Sequence, residues 1–288
     1  MLTRAARISL FFLWISCTAG CTSIYQLPNL PTFTPNPTVT PSEPPSPLPT
    51  VASTLEPPDT GWQTLQPGLE RRMIRLYNDE SQHIESLYMW RLDQSLFRLD
   101  VAYQETPQSL EDWQAETNAL MVVNGGFFSM ENERYFPNGL TIVDGQSTGS
   151  SYDSFGGMLA IGQASAELRS LAETPYDPSE PLLAGLQSFP VLVKPGGVLG
   201  FPVEFEDNLK ARRTVIAQDR AGRILFMVTP RGHFTLHQLS LYLTLSDLNL
   251  NIALNLDGGP STGVLVATPR EIIPSQTLLP FVILVYPR

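Results

Sequence analysis

Two segments of this chain end an apolar run in an amide or a carboxylate and follow it with two glycines: VVNGGFF at 122–128 and NLDGGPST at 255–262. An ordinary turn needs only two such small or rigid residues. Glycine pairs permit positive φ and let a ligand approach the backbone closely, and successive N–H groups in such turns make concavities that hold anions. Asn124, Gly125 and Gly126 in the first segment, with Asp257, Gly258, Gly259, Ser261 and Thr262 in the second, are therefore candidates for a polar pocket at strand ends. Asp257 is the candidate for carboxylate chemistry, because partial burial at the end of an apolar strand tunes its pKa and the glycines leave room for substrate. Either segment alone also reads as a tight hairpin, with Asp257 as a turn cap. Two of them, each flanked by apolar strands, favour a site.

Other chemistry is weaker or missing. GPSTG at 259–263 matches the G-x-S-x-G nucleophile elbow, but that motif needs a helix directly after the serine and a histidine later in the chain. Here an apolar strand follows, and no histidine lies beyond His237. An Asp219, His233, Ser261 order keeps a serine esterase as a minor alternative. No P-loop, HExxH, EF-hand or dinucleotide glycine pattern occurs. His83, His233 and His237 are too scattered to suggest a metal site, so neither metal nor cofactor is expected. His233, in the polar TPRGHFT loop, is a candidate substrate contact; His237 fits a capping or surface role.

The elements that would position these residues are mostly strands. RRMIRLY (71–77), SLYMWRL (86–92) and LFRLDVAY (96–103) have strand length and alternation. SLEDWQAETN (109–118) predicts a helix capped by Ser109, with acids in its first turn. ALMVV (119–123) is a buried strand, and 212–230 a hairpin turning at DRAG, which accounts for Asp219. TLHQLSLYLTLSDLN (235–249) predicts a second helix, with Thr235 and Gln238 as a capping box and Leu236, Leu239, Leu243 and Leu250 at helical spacing. NIALNLD and GVLVAT are strands around the GGPST turn. The fold class is α+β: one strand-rich domain with a large mixed sheet and a few helices.

The remainder of the chain sets its context. Residues 1–20 carry Arg4 and Arg7, an apolar run and small residues before Cys21, the order of a secretory signal. TAGC at 18–21 resembles a bacterial lipobox, making Cys21 the expected lipidation site and a lipid anchor the expected link to the outer face of the cell membrane. Residues 21–58 form a stalk: eleven prolines between Pro28 and Pro58, without lysine or arginine, favour extended chain and cannot build a core. Residues 59–288 are the expected catalytic domain. Both cysteines, Cys17 and Cys21, fall outside it, so it has neither disulfide nor thiol nucleophile. Removing residues 1–20 takes away two arginines and no acid, so the net charge falls from −10 to −12. That disfavours nucleic acid as a partner. Nothing indicates an oligomeric state.

The succession VVNGGFF, SFPVLV, ARRTVIAQDRAGRILFMV, ALNLDGGPSTGVLV and LPFVILVYP resembles the phosphodiester glycosidase family over roughly residues 68–288. Its most specific part is the order NGGFF, then RT, then NLDGG. The chain departs from the pattern at Pro260, where a third glycine is expected and one N–H donor is lost. The resemblance implies a hydrolase that separates a sugar such as N-acetylglucosamine from a phosphodiester, and the signal-like residues 1–20 make it an exported one.

A phosphate leaving group needs charge stabilisation more than a proton, unlike the alcohol of ordinary glycosides. The resemblance therefore implies a cation and N–H donors at the phosphate and a carboxylate at the sugar. Arg213, at the RT of the pattern, suits the first role through its guanidinium fork; Arg212 should point to the opposite face of the strand. Asp257 either attacks the anomeric carbon or activates water. Asn124, Gly125, Gly126, Gly258, Gly259, Ser261 and Thr262 would line the pocket, and Asp144, Asp153 and Asp207 are open candidates for a second carboxylate. The alternative is a stalked, non-catalytic glycan-binding lipoprotein using the same pocket.

Overall fold

The computed structural model describes residues 57–152 and 156–288. The expected signal, Cys21 and nearly all of the expected stalk, as well as Asp153, lie outside the described residues. Twenty strands, two α-helices and two short 3-10 turns make up the described chain.

The largest sheet has eight strands, in the order Gln63–Gln66, Leu69–Tyr77, His83–Leu92, Ile224–Thr229, Arg213–Asp219, Leu250–Asn255, Val191–Lys194 and Val198–Leu199. Period-2 alternation gives it two apolar faces. Val215, Ala217, Ala253, Leu87 and Met89 face the helix Leu236–Leu245, which covers them with Leu239 and Leu243. Ile216, Leu254, Phe226 and Trp90 face the opposite way, into a core shared with two five-stranded sheets. One of these runs Ala166–Ser170, Gly157–Ile161, Ala184–Ser188, Thr141–Val143, Gln146–Thr148; the other runs Arg270–Ile273, Val264–Ala267, Met121–Asn124, Leu279–Pro287, Phe97–Gln108. On the outer side of the latter, Val122, Leu265, Val282 and Leu284 pack under the helix Leu110–Thr117 through Leu110 and Trp113.

The expectation of a mixed sheet is corrected: every strand pairing among the described residues is antiparallel. The connection through Leu236–Leu245 would allow a parallel pair. Instead it carries the chain across the Arg213–Asp219 strand, which pairs with Ile224–Thr229 on one side and Leu250–Asn255 on the other. The structure is also richer in strand than α+β implies.

Both helices start as their caps predict. Ser109 accepts from the Asp112 N–H, and the Thr235–Gln238 capping box is reciprocal. The second helix ends at Leu245, short of the expected 249. Leu250, counted in its period, instead opens the next strand, after Asn249 reverses the chain at φ +54°. The hairpin turns at Asp219, whose buried carboxylate accepts from the Ala221 and Arg223 amides and the Arg223 Nε.

Candidate active site

Asn124 ends its strand fully buried, with all four hydrogen-bonding positions filled. Its Nδ2 donates to Asp257 O at 2.8 Å and Gly125 O at 3.2 Å. Its Oδ1 accepts from the Thr214 hydroxyl at 2.8 Å and the Gly263 N–H at 3.0 Å. One amide thus ties the NGGFF segment to the RT strand and to both ends of DGGPSTG. The residue is a joint between the motifs rather than a group left open to ligand.

Asp257 follows directly after that joint. Its N–H donates to Gly125 O at 3.1 Å. Its Oδ1 accepts from Gly258 N at 2.9 Å, and the Ser261 hydroxyl hydrogen-bonds the carboxylate. Burial pushes its pKa above the ordinary carboxylate value, and these two hydrogen bonds only partly oppose the rise. The carboxylate is therefore partly desolvated and held by short-range contacts without a cation bonded to it.

Continued two positions past the Val215–Asn255 pair, the register sets Arg213 across from Asp257. Cross-strand neighbours share a face, and a Cβ built on Gly258 would lie 3.9 Å from Arg213 Cδ. The guanidinium is nearly buried, with Nε donating to Phe234 O at 3.3 Å and Nη2 to Leu209 O at 2.6 Å. Burial lowers its pKa, and the charges of Asp207 and Glu206 oppose that shift. Arg212 points to the other face, where its Nη2 donates to Thr262 O and Pro274 O.

The glycines serve a different purpose from the expected one. Of the four, only Gly259 has positive φ, +55°. A Cβ at Gly125 would fall 2.5 Å from the Phe281 ring, at Gly126 3.1 Å from Gln187 O, and at Gly258 2.7 Å from Arg212 O. Close packing excludes side chains at Gly125 and Gly258 and leaves little room at Gly126. Three of the four amides are also engaged within the fold: Gly125 N–H on Phe281 O, Gly258 N–H on Asp257 Oδ1 and Gly259 N–H on Arg212 O. Gly126 keeps the N–H without a partner among the described residues.

Ser261 and Thr262 are buried beside these groups. Ser261 lies in a 3-10 turn that leads into a strand rather than a helix, and its hydroxyl meets Asp257. That geometry is unlike a nucleophile elbow. Thr262 Oγ1 has no partner among the described residues. His233 stands apart: its N–H donates to the buried Glu85 carboxylate, and its ring packs on Phe234. It lines a groove of about 700 Å³ with Arg72, Leu241 and Tyr242, a lining that Asp257 does not join. His237 is held at its helix start, its N–H on Glu206 and its Nδ1 on Phe201 O.

Two further buried polar atoms have no place among the sequence-based candidates. Asn255 Oδ1 and Ser188 Oγ are buried without partners among the described residues. A signal existed for the first, since Asn255 interrupts the apolar run ALNL at a position that must be buried. No comparable signal marks Ser188. Among the described residues no cluster of three or more His, Cys, Asp or Glu is arranged to hold a metal ion.

A family model described as phosphodiester glycosidase matches residues 117–285, more than half of the chain. The fold is similar to the zebrafish N-acetylglucosamine-1-phosphodiester alpha-N-acetylglucosaminidase catalytic domain auto-inhibited by its pro-peptide. The two share 17% identity and a TM-score of 0.61, over 77% of this chain and 85% of that one. It is also similar to a hypothetical protein from Synechocystis, at 16% identity and a TM-score of 0.54 over 77% of this chain and 63% of that one. A Burkholderia pseudomallei protein gives 14% identity and a TM-score of 0.52, over 72% and 75% of the two chains. No curated protein matches.

Proposed function

The chain belongs to the phosphodiester glycosidase family, and on that premise we propose that it is an exported hydrolase cleaving a sugar-1-phosphodiester, with Asp257 as its reactive carboxylate. The observation that carries the reading is the placement of Asp257. Its desolvated carboxylate follows directly on the Asn124 joint, where the NGG, RT and DGG segments meet.

In this reaction the bond between the anomeric carbon and the phosphate oxygen breaks, and the oxygen keeps the electron pair. Water supplies a hydroxyl to the carbon and releases one proton. The departing phosphate monoester has a second pKa of about 6, so it leaves as an anion without a general acid. Charge stabilisation is then the main requirement. Arg213 supplies it through Nη1, which makes no bond among the described residues, and the Gly126 N–H adds a neutral donor. Asp257 takes the proton from water or attacks the carbon, and both roles need it ionised. The zebrafish relative's name supports an N-acetylglucosamine-type sugar. The lipobox-like TAGC and the proline-rich stalk support attachment outside the membrane through lipid on Cys21.

The test incubates the purified full-length chain and its Asp257→Asn variant with a panel of sugar-1-phosphodiesters and assays free sugar. Release by the parent protein alone supports the proposal. Release by both removes Asp257 from the chemistry. Release by neither, with sugar phosphates still bound, favours the non-catalytic glycan binder.

A further inference from the structure

Glu85 is a fully buried acid that the proposed reaction does not use. Continued three positions past the Val228–Tyr88 pair, the register sets it across from Arg231, where the chain has left its strand and turns back. The carboxylate fills the hollow of that turn. Its Oε1 accepts from the Ser86 N–H at 2.9 Å and the Arg231 N–H at 3.0 Å, and its Oε2 from the His233 N–H at 3.0 Å. Gly232, between the two loop donors, takes φ +75°, so neighbouring amides converge on one anion as in other backbone concavities. Here the anion belongs to the chain itself.

The turn held in this way leads directly to Arg213. Phe234 O, one residue beyond His233, accepts from Arg213 Nε and from the Ala211 N–H, each at 3.3 Å. Among the described residues it is the only partner of that Nε. A Cβ on Gly232 would lie 3.2 Å from Arg212 N and 3.3 Å from Ala211 C, so the turn also packs closely against the start of the Arg213 strand. Contacts thus run from Glu85 through two loop amides to the Phe234 carbonyl and the Arg213 guanidinium. A buried carboxylate costs stability unless its oxygens are filled. A glutamine of the same size avoids that cost but cannot accept on both sides of the turn, because its NH2 would oppose one of the N–H groups.

We infer that Glu85 is a positioning residue for Arg213: it fixes the 231–234 turn so that Phe234 O holds Nε and leaves Nη1 to the phosphate of the substrate. The inference rests on the reading of Arg213 as the phosphate-binding residue of a sugar-phosphodiester hydrolase. It adds to that reading a buried acid that touches neither substrate nor Asp257.

Two measurements on the full-length chain test it, with Tm alongside. One is solvent exchange of the Arg213 Nε–H by NMR, the signal being assigned through its loss in Arg213→Lys; the other is kcat/KM on a sugar-1-phosphodiester. A buried, bonded N–H exchanges only when its bond opens. In Glu85→Gln the expected result is Nε–H exchange about 10-fold faster and kcat/KM about 10-fold lower. Adding Glu85→Gln to Arg213→Lys should lower kcat/KM no further than Arg213→Lys alone, because both changes act on one guanidinium. A lowered Tm with unchanged exchange would overturn the inference and make Glu85 a loop anchor only. If Glu85→Gln fails to fold, Gly232→Ala strains the same turn with the acid in place. It should speed the exchange in the same way, and unchanged exchange there would also overturn the inference. Faster exchange in Glu85→Gln, with no turnover by the parent, keeps Glu85 as the residue that positions Arg213 and removes the hydrolase. Equal turnover by parent and Glu85→Gln does the reverse.

Discussion

The Thr214 hydroxyl donates to Asn124 Oδ1 at 2.8 Å, across 90 residues of chain and within a fully buried environment. That bond joins the RT and NGG motifs directly, and the other oxygen lone pair and both amide hydrogens of Asn124 reach the DGGPSTG segment or its own turn. The three most family-specific stretches are thus held by one side chain. The site stands or falls as a unit.

Removing the joint should be costly. Asn124→Ala leaves two carbonyls, one N–H and one hydroxyl without their partner, and a loss of about 3–5 kcal/mol is expected. Thr214→Val should cost about 1–2 kcal/mol. Urea unfolding of both single variants and the double should give a clearly non-additive cycle, because the same bond is lost in each. Simple additivity would show that the two residues act independently.

Asp257→Asn should stabilise the protein while abolishing turnover. Burial raises the carboxyl pKa in the fold above its ordinary 3.8. Ionisation therefore carries a stability penalty, absent below the unfolded-state value and complete once pH exceeds the folded one. The variant's Tm should exceed the parent's at pH 7 and the gap should narrow towards pH 3; for a domain of this size each kcal/mol appears as about 2–4 °C. Turnover should fall by about 10²- to 10⁴-fold. In the parent, the acid limb of kcat/KM should lie above the usual carboxylate range. A variant that is less stable at neutral pH would contradict the desolvation argument.

Gly258 and Gly259 should respond to alanine differently. A Cβ at Gly258 meets Arg212 O at 2.7 Å, a backbone atom, so the turn must move and Asp257 with it. A Cβ at Gly259 meets nothing within 4 Å, and only the positive φ resists it. Gly259→Ala should therefore cost about 1–2 kcal/mol with activity retained, whereas Gly258→Ala should lose both stability and activity. Thermal scans and turnover on the two variants decide the matter.

Arg213→Lys keeps the charge and removes the fork. A single ammonium cannot keep the Leu209 and Phe234 carbonyls and also present a planar pair of donors to phosphate. We expect kcat/KM to fall about 10- to 100-fold, the equivalent of one charge-assisted hydrogen bond. Steady-state kinetics on a sugar-1-phosphodiester measures it.

Lipidation can be checked separately. Metabolic labelling with an alkynyl fatty acid in a bacterial host should mark the chain and be lost in Cys21→Ser, which should also move the protein from membrane to soluble fractions. Label retained in the variant would exclude Cys21 as the attachment site.

Much of the positioning apparatus was legible in the sequence, because caps and turns are local. Ser109, Thr235 and Gln238 announce their helix starts within three residues, and Asp219 its hairpin. The strands between 128 and 208 were not legible: they run two to five residues, too short for any period to emerge. At the site, the motifs identified which segments meet, but not why. Phe281 and Arg212 leave no room for a Cβ at Gly125 and Gly258, and Gln187 leaves little at Gly126. Those neighbours lie 46 or more positions away in the sequence, and no local pattern reveals them. His233, a candidate contact from its polar loop, has its N–H on the buried Glu85 carboxylate.

The strand Met121–Asn124 has Val264–Ala267 on one side and Leu279–Pro287 on the other. As the chain is made, the strand that carries Asn124 therefore waits without either neighbour until more than a hundred further residues have followed it. Contacts of such long sequence separation slow folding. The cluster of NGG, RT and DGG segments around Asn124 can therefore close only after residues 264–287 have been added.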